Sequence, residues 1–327
     1  MSAKVFIDGE AGTTGLQIRQ RLEGRPDIAL LTIDPEHRKD RSARAEIMNL
    51  ADAVILCLPD DAAREAVTLV TNPATRIIDA STAHRVFPGW AYGFAELDGD
   101  QRAKIAGATR IANPGCYATG AIALIRPLVD AGLLPADWPL VVNGISGYSG
   151  GGKGLIAEFE QETPPPGSHD AFRPYGLTLS HKHLPEIVRY GAINEAPIFT
   201  PSVGRFAQGM IIELPLHLGR LPGKPKAADL TAAYEKHYAG ERFIEVLGVD
   251  DAAEVQKARA GAAGFHALID PENLNDTNRL RIMVFGNETN GQGLALALLD
   301  NLGKGASGAA VQNLNLSLGL PEASGLE

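Results

Sequence analysis

The sequence predicts an α/β protein of two α/β domains. Three observations lead there: a length of 327 residues, short apolar runs alternating with helical patterns up to about residue 115, and a change of pattern after Cys116. A chain this long exceeds what one hydrophobic core usually serves, so two domains are expected. Strands that alternate with helices build parallel sheets with helices over their faces.

The elements follow in order. Lys4 to Asp8 reads as a strand, and Gly15 to Leu22 as a helix start with Leu16, Ile18 and Leu22 apolar. Ile28 to Ile33 is a second strand, and Ala53 to Leu58 a third, its unbroken apolar run indicating burial on both faces. Asp61 to Val70 is a helix with Asp60 and Asp61 near its positive end, and Arg76 to Asp79 is another strand. Beyond Cys116, Tyr117 to Val129 reads as a helix, Leu140 to Ile145 as a strand, and Phe206 to Leu218 as a long strand. Ala227 to Tyr238 is an amphipathic helix and Leu280 to Phe285 a strand. Gly293 to Leu318 reads as helical, Thr163 to Gly167 as a loop, and Pro321 to Glu327 as a tail.

Composition narrows the function. The chain is 45% hydrophobic and carries a formal net charge of −9, with no basic stripe, so nucleic acid is not an expected partner. No apolar run approaches the roughly 18 residues of a membrane span, and Met1 to Lys4 opens no secretory segment. Two cysteines, Cys57 and Cys116, cannot build a disulfide framework, which fits a reducing compartment and a cytoplasmic location.

The first strand runs into Asp8-Gly9-Glu10-Ala11-Gly12-Thr13-Thr14-Gly15 and then a helix. Glycines at 9, 12 and 15 let the chain turn tightly and let backbone approach a pyrophosphate at the helix N-terminus, where Thr13 and Thr14 add hydroxyls. The bland alternative is a plain glycine turn; its place at the first strand-to-helix junction favours a dinucleotide. Asp34, ending the second strand, suits the ribose diol of NAD. Arg38, Lys39 and Arg41 follow at once and suit a 2′-phosphate, which tips the expectation to NADP.

Cys116 follows the turn Asn113-Pro114-Gly115 and opens a helix. A thiol there meets unpaired N–H groups and the positive end of the dipole, which favour thiolate and can stabilise an oxyanion. Cys57, inside an apolar strand, reads instead as a small buried hydrophobe. His181-Lys182-His183 precedes Pro185 and Glu186. In an extended segment both histidines would point one way and Lys182 the other. One imidazole can serve as acid or base, oriented by the other or by Glu186. No further ligand set supports a metal there. His84, His217, His237 and His266 read as structural or surface residues.

Taken together, the stretches VFIDGEAGTTGLQI, ILCLPDDAAREAV, DASTAHR, YGFAEL, NPGCYATGAIAL, ISGYSGGGK, SHKHLPEI, PSVGRFAQGM and NLGKGASGAAVQNLN resemble the N-acetyl-γ-glutamyl-phosphate reductases of arginine biosynthesis, in their short (type 2) form. The resemblance spans nearly the whole chain. It implies a Rossmann-type NADP domain, residues 1–117 and about 291–327, and an α/β catalytic domain, 118–290, of the glyceraldehyde-phosphate and aspartate-semialdehyde dehydrogenase kind. It implies a small-molecule substrate, reduction of an acyl phosphate through a Cys116 thioester, protons managed by His181 or His183, and a homo-oligomer. Ser81, within DASTAHR, joins Gly9, Ala11, Gly12, Thr13, Thr14, Gly15 and Arg38 as a cofactor residue. Ser146, Ser149, Gly150 and Lys153 offer donors to substrate anions from one glycine-rich loop, with Lys182 and Arg205 as further candidates. Lys304 to Gly308 is placed near the nicotinamide, and Asn313 and Leu314 in a helix core or an interface. The competing readings are an aspartate-semialdehyde dehydrogenase, a cysteine hydrolase or acyltransferase without a hydride step, and a non-catalytic dinucleotide sensor.

Overall fold

A computed structural model describes residues 2–161, 169–257 and 269–326. The expected Thr163 to Gly167 loop and His266 lie outside the described residues. The chain divides into two compact units, Met1–Gly115 with Ala306–Glu327, and Cys116–Gly305.

The first unit holds a six-stranded parallel sheet. Its strands are β1 (Ala3–Asp8), β2 (Ile28–Leu31), β3 (Ala53–Leu56), β4 (Arg76–Asp79), β5 (Ala91–Tyr92) and β6 (Arg110–Ala112), in the order β2-β1-β3-β4-β6-β5. Helices α1 (Thr13–Leu22), α2 (Arg41–Leu50), α3 (Asp60–Leu69) and α4 (Gln101–Gly107) connect them. All four residues of β3 are fully buried, which is why its sequence is apolar without alternation. Phe6, Val54, Leu56 and Ile77 of the sheet pack with Met48 of α2 and Ala63, Ala66 and Leu69 of α3. The start of α2 is set by Asp40, whose carboxylate accepts from the amides of Ser42 (2.7 Å) and Ala43 (3.3 Å).

The second unit runs through α5 (Cys116–Asp130), β7 (Val141–Gly147), α6 (Gly152–Glu160), β8 (Phe172–Pro174), α7 (Leu184–Gly191), β9 (Ile198–Gly204) and β10 (Met210–Leu216). It continues through α8 (Ala227–His237), β11 (Ile244–Val246), α9 (Val249–Lys257), β12 (Leu280–Asn287) and β13 (Gln292–Leu299). Its seven strands form a mixed sheet, β11-β12-β13-β10-β7-β9-β8. Only β7 with β9 and β11 with β12 pair in parallel. Helix α5 lies against the sheet centre so closely that a Cβ on Gly120 would stand 2.5 Å from Ile212. Pro127, inside α5, has no N–H for the carbonyl of Ala123; the Tyr238 hydroxyl donates to that carbonyl instead, at 3.0 Å.

Three expectations are corrected. Gly293 to Leu318 is not one helical stretch: Gln292–Leu299 is strand β13, central in the sheet between β12 and β10. An apolar run such as Leu294 to Leu299 fits a doubly buried strand as well as a helix, and pairing on both sides decides. The compact second unit runs to Gly305, and α10 (Gly308–Leu318) belongs to the first. The long strand from Phe206 shortens to β10, because Arg205 to Gly209 forms a turn in which Gly209 has φ +109°. The C-terminal stretch is not a loose tail: Leu326 is 2% exposed, and Arg25 donates to the Ser324 carbonyl at 2.8 Å. As expected, Asn313 and Leu314 lie in a helix core, both fully buried.

Candidate active site

The turn that delivers Cys116 is fixed from several directions. The Asn113 amide donates to the Asp79 carbonyl (2.8 Å), and its carbonyl accepts from Arg85 Nε (3.0 Å). Its side chain donates to the Ala306 carbonyl (2.9 Å) and accepts from Asn313 Nδ2 (2.9 Å). Helix α5 begins at Cys116, so the thiol sits beside first-turn N–H groups that have no partner within the helix. The π-helical turn Gly303–Ser307 supplies a second constraint. A Cβ on Gly305 would stand 2.8 Å from the Cβ of Cys116, so only glycine lets this turn abut the cysteine. Lys304 of that turn is 1% exposed, with its ammonium 5.4 Å from the Phe243 ring centre. Asp300 anchors the turn: Oδ1 accepts from the Leu302 amide (2.8 Å), Oδ2 from Gln208 (2.6 Å) and the Asp276 amide (2.8 Å). Burial holds its carboxyl above the usual range.

Cys116 opens onto a cavity of about 330 Å³. Tyr117, Ser146, Gly150, Gly151, Leu155, Arg173, Tyr175, His181 and Lys182 line it with the cysteine. Gly150 and Gly151 lie at the N-terminal end of α6, which presents backbone N–H groups to an anion. Ser146 is 2% exposed, and its hydroxyl donates to the Gly147 carbonyl at 3.0 Å. Ser149 does not line the cavity; its buried hydroxyl accepts from Asn301 at 3.1 Å, and Asn301 accepts from the Gly209 amide at 2.7 Å. Lys153 is exposed and outside the lining. Arg205 is also outside it, donating to the carbonyls of Asp170 and Phe159.

The two histidines separate. The segment is a turn rather than extended chain, with His183 at φ −87°, ψ −11° just before α7. His181 and Lys182 therefore both reach the cavity, while His183 is 4% exposed and outside its lining. His181 Nδ1 accepts from the His183 amide at 3.2 Å, which places the proton of the neutral ring on Nε2. The His183 ring stands edge-on to His181, centres 4.7 Å apart, and its Nε2 is 4.0 Å from the buried Glu186 carboxylate. Tyr117 donates to the Ser202 carbonyl at 2.9 Å. Burial raises the Tyr175 phenol to about 12 and the Tyr117 phenol further, so both stay neutral beside the thiol.

Tyr175, Arg173 and Leu155 line the cavity without a signal in the sequence. Tyr175 sits in no recognisable pattern. Arg173 lies on the three-residue edge strand β8, and a lone cation outside any motif reads as solvated surface.

In the first unit, the glycine turn fits a dinucleotide. Gly9 has φ +88°, and a Cβ there would stand 2.3 Å from the Cys57 carbonyl. A Cβ on Gly15 would stand 2.7 Å from Glu10 Cα, whereas on Gly12 it would meet only the Gly9 carbonyl at 3.4 Å. Gly12 caps α1 without a side chain, and the first turn of α1 holds no acid. The Thr13 hydroxyl is buried with no hydrogen-bond partner among the described residues, as a phosphate-binding donor would be. Ala11 is exposed and Thr14 half-buried. Arg38 is exposed, and its Nε donates to the Pro35 carbonyl at 3.3 Å. Ser81 is occupied locally: its hydroxyl donates to Asp79 at 2.7 Å, and Asp79 also meets His84 Nδ1 at 2.6 Å. His84 is thereby structural, stacked on Trp90 with ring centres 4.1 Å apart.

Residues 116–301 match the family model described as the semialdehyde dehydrogenase dimerisation domain. The N-acetyl-γ-glutamyl-phosphate reductase of Chelativorans sp. (strain BNC1) is 57% identical over 325 residues, covering 97% of this chain and 99% of that protein. The chain belongs to the N-acetyl-γ-glutamyl-phosphate reductase family. The Brucella ovis reductase is 52% identical over 320 residues, 98% of this chain and 100% of that one. Among solved structures, aspartate semialdehyde dehydrogenase II from Vibrio cholerae aligns with a TM-score of 0.68 at 15% identity, over 97% of this chain and 99% of that one. The Candida albicans aspartate semialdehyde dehydrogenase solved with NADP aligns at 0.65 and 14%, over 96% and 99%. These likenesses place the reductase in the semialdehyde dehydrogenase fold, a Rossmann-type unit and a mixed-sheet unit. Among the described residues, no helix of this reductase is long and apolar enough to cross a membrane.

Proposed function

We propose that the chain catalyses the NADPH-dependent reduction of N-acetyl-γ-glutamyl phosphate to N-acetylglutamate 5-semialdehyde and phosphate, in arginine biosynthesis. The observation that carries this is Cys116 at the head of α5, in one cavity with His181, Lys182, Arg173 and the N-terminus of α6. The first unit binds the cofactor and the second carries the chemistry and pairs with another copy, in keeping with the dimerisation-domain match. The reductase works as a cytoplasmic homo-oligomer.

Cys116 Sγ, as thiolate, attacks the acyl carbon; the bond to the phosphate oxygen breaks, and phosphate leaves with its electron pair. When bound, NADPH supplies the hydride that reduces the resulting thioester. First-turn N–H groups of α5 stabilise the oxyanion at each stage. His181 Nε2–H protonates that oxygen to give a thiohemiacetal, then takes the proton back as the carbon–sulfur bond breaks toward sulfur and the aldehyde leaves. His183, backed by Glu186, holds the His181 ring. The departing phosphate is received by Ser146, the amides of Gly150 and Gly151, and Lys182, with Ser149 supporting that loop through Asn301 and the exposed Lys153 adding distant positive charge.

Backbone amides from Gly9 to Gly15 with Ala11, Thr13 and Thr14 would take the pyrophosphate, and Arg38 the 2′-phosphate. Ser81 contributes by closing the turn after β4.

The test is the reverse reaction: N-acetylglutamate 5-semialdehyde, phosphate and NADP, followed by NADPH absorbance, with aspartate semialdehyde and NAD in parallel. Phosphate-dependent NADPH formation with the acetylated substrate, abolished in Cys116→Ser, is expected. Activity only with aspartate semialdehyde would replace the substrate. Reduction with neither, in folded protein, would remove the hydride step.

A further inference from the structure

The substrate just proposed carries two anions, the acyl phosphate that must lie at Cys116 and a carboxylate at the far end of its carbon chain. The inference below rests on that reading and concerns the second anion. The cavity has two cationic lining residues among the described residues, Lys182 and Arg173. Lys182 is adjacent in sequence to His181. Arg173 is held elsewhere, and α6 shows where.

The N-terminal end of α6 is tied to the surroundings of Cys116. Gly305 abuts the cysteine, its amide donates to the Asp300 carbonyl at 2.9 Å, and neighbouring Asn301 bonds Ser149, which leads directly into Gly150 and Gly151. Arg173, by contrast, is moored to Glu158, where Nη2 donates to Oε1 at 2.7 Å. Glu158 lies about 10 Å further along the helix axis than Gly151, at ~1.5 Å per residue. A second carboxylate, Asp170, takes Nε at 2.7 Å, and the guanidinium lies 5.1 Å from the Phe159 ring centre. Both carboxylates are on the Nε–Nη2 side, so they fix the plane of the fork. They also hold the guanidinium firmly in its charged form, the bond to Glu158 contributing most. Leu155, between the two ends, offers apolar surface to methylene groups.

We propose that Arg173 binds the substrate carboxylate remote from the reacting carbon, and that its mooring to Glu158 across Phe159 sets the length of chain the cavity accepts. The cavity then reads a substrate with an anion at each end: phosphate at the head of α6 and carboxylate at Arg173. A preorganised planar fork suits a carboxylate better than a flexible ammonium would.

The experiment measures the reverse reaction of wild type, Arg173→Lys and Arg173→Ala with two aldehydes: N-acetylglutamate 5-semialdehyde, and 4-acetamidobutanal, the same molecule without its carboxylate. Phosphate concentration is varied separately. Arg173→Ala should lower kcat/KM for the acidic aldehyde by roughly 30- to 100-fold, the size of a lost charged hydrogen bond. Arg173→Lys should recover part of that loss. All three proteins should use 4-acetamidobutanal about equally, which shows that the variants fold, and the KM for phosphate should move little. An equal loss with both aldehydes, or a loss confined to the KM for phosphate, would overturn the assignment. A wild type inactive with the acidic aldehyde would instead remove the reading on which it rests.

Discussion

Gly305 packs closely on Cys116: a side chain on the glycine would place its Cβ 2.8 Å from the cysteine Cβ and 3.1 Å from the Asp300 carbonyl. The Cys116 thiol is thus positioned from two sides, by the helix it begins and by a turn some 190 residues later that Asp300 holds in place.

Gly305→Ala should therefore displace Cys116 or the turn. A misplacement of about 1 Å at a reacting group can cost on the order of 100-fold in rate, and overpacking costs roughly 1–3 kcal/mol of stability. Steady-state kcat and thermal unfolding would check both. Wild-type kcat in a folded variant would mean the contact relaxes without moving the thiol.

Separate roles for the two histidines predict separate kinetics. His181→Ala should lower kcat by about 10²- to 10⁴-fold, as loss of a general acid–base does. His183→Ala should act through the fold as well: it empties a buried site next to Glu186 and so lowers stability. The pH profile of kcat decides between them. If His183→Ala removed the titrating limb and His181→Ala kept it, the assignment would be reversed.

The glycine turn gives a graded pair. Gly9→Ala places a Cβ 2.3 Å from the Cys57 carbonyl at a φ of +88°, whereas Gly12→Ala meets only the Gly9 carbonyl at 3.4 Å. NADPH affinity, followed by quenching of protein fluorescence, should fall sharply in the first, which should also unfold earlier. The second should fold normally and lose less affinity. Equal affinity in both variants would argue that the turn does not face the cofactor.

The two thiols should differ in alkylation. Both cysteines are half-buried, but desolvation of the Cys57 thiol, with the carboxylates of Asp79 and Asp8 adding to it, pushes it up to about 12. A raised thiol pKa means the protonated, unreactive form persists until the pH nears that value; at pH 8 only about one part in 10⁴ is thiolate. Iodoacetamide at pH 8, followed by peptide mass mapping, should label Cys116 and spare Cys57. Comparable labelling of both in the folded protein would contradict the desolvation argument.

Local chemistry made much of this reductase readable from its sequence. The doubly buried β3, the glycine turn and the thiol at the head of α5 are each encoded within a dozen residues: a continuous apolar run, glycines at positions a Cβ would block, and a turn leading into a helix. The family, too, lies in stretches of residues. Tertiary pairing decided the rest. Leu294 to Leu299 became a strand only because β10 and β12 flank it. His181 and Lys182 share one cavity because the segment turns, which alternation alone had read as opposite faces. Arg173 reaches that cavity because Glu158 and Phe159, on a helix well before it in the chain, act with the nearby Asp170 to fix its guanidinium. Neither long-range pairing nor the mooring of one cation leaves a periodic mark on a chain, so only the folded structure reveals them.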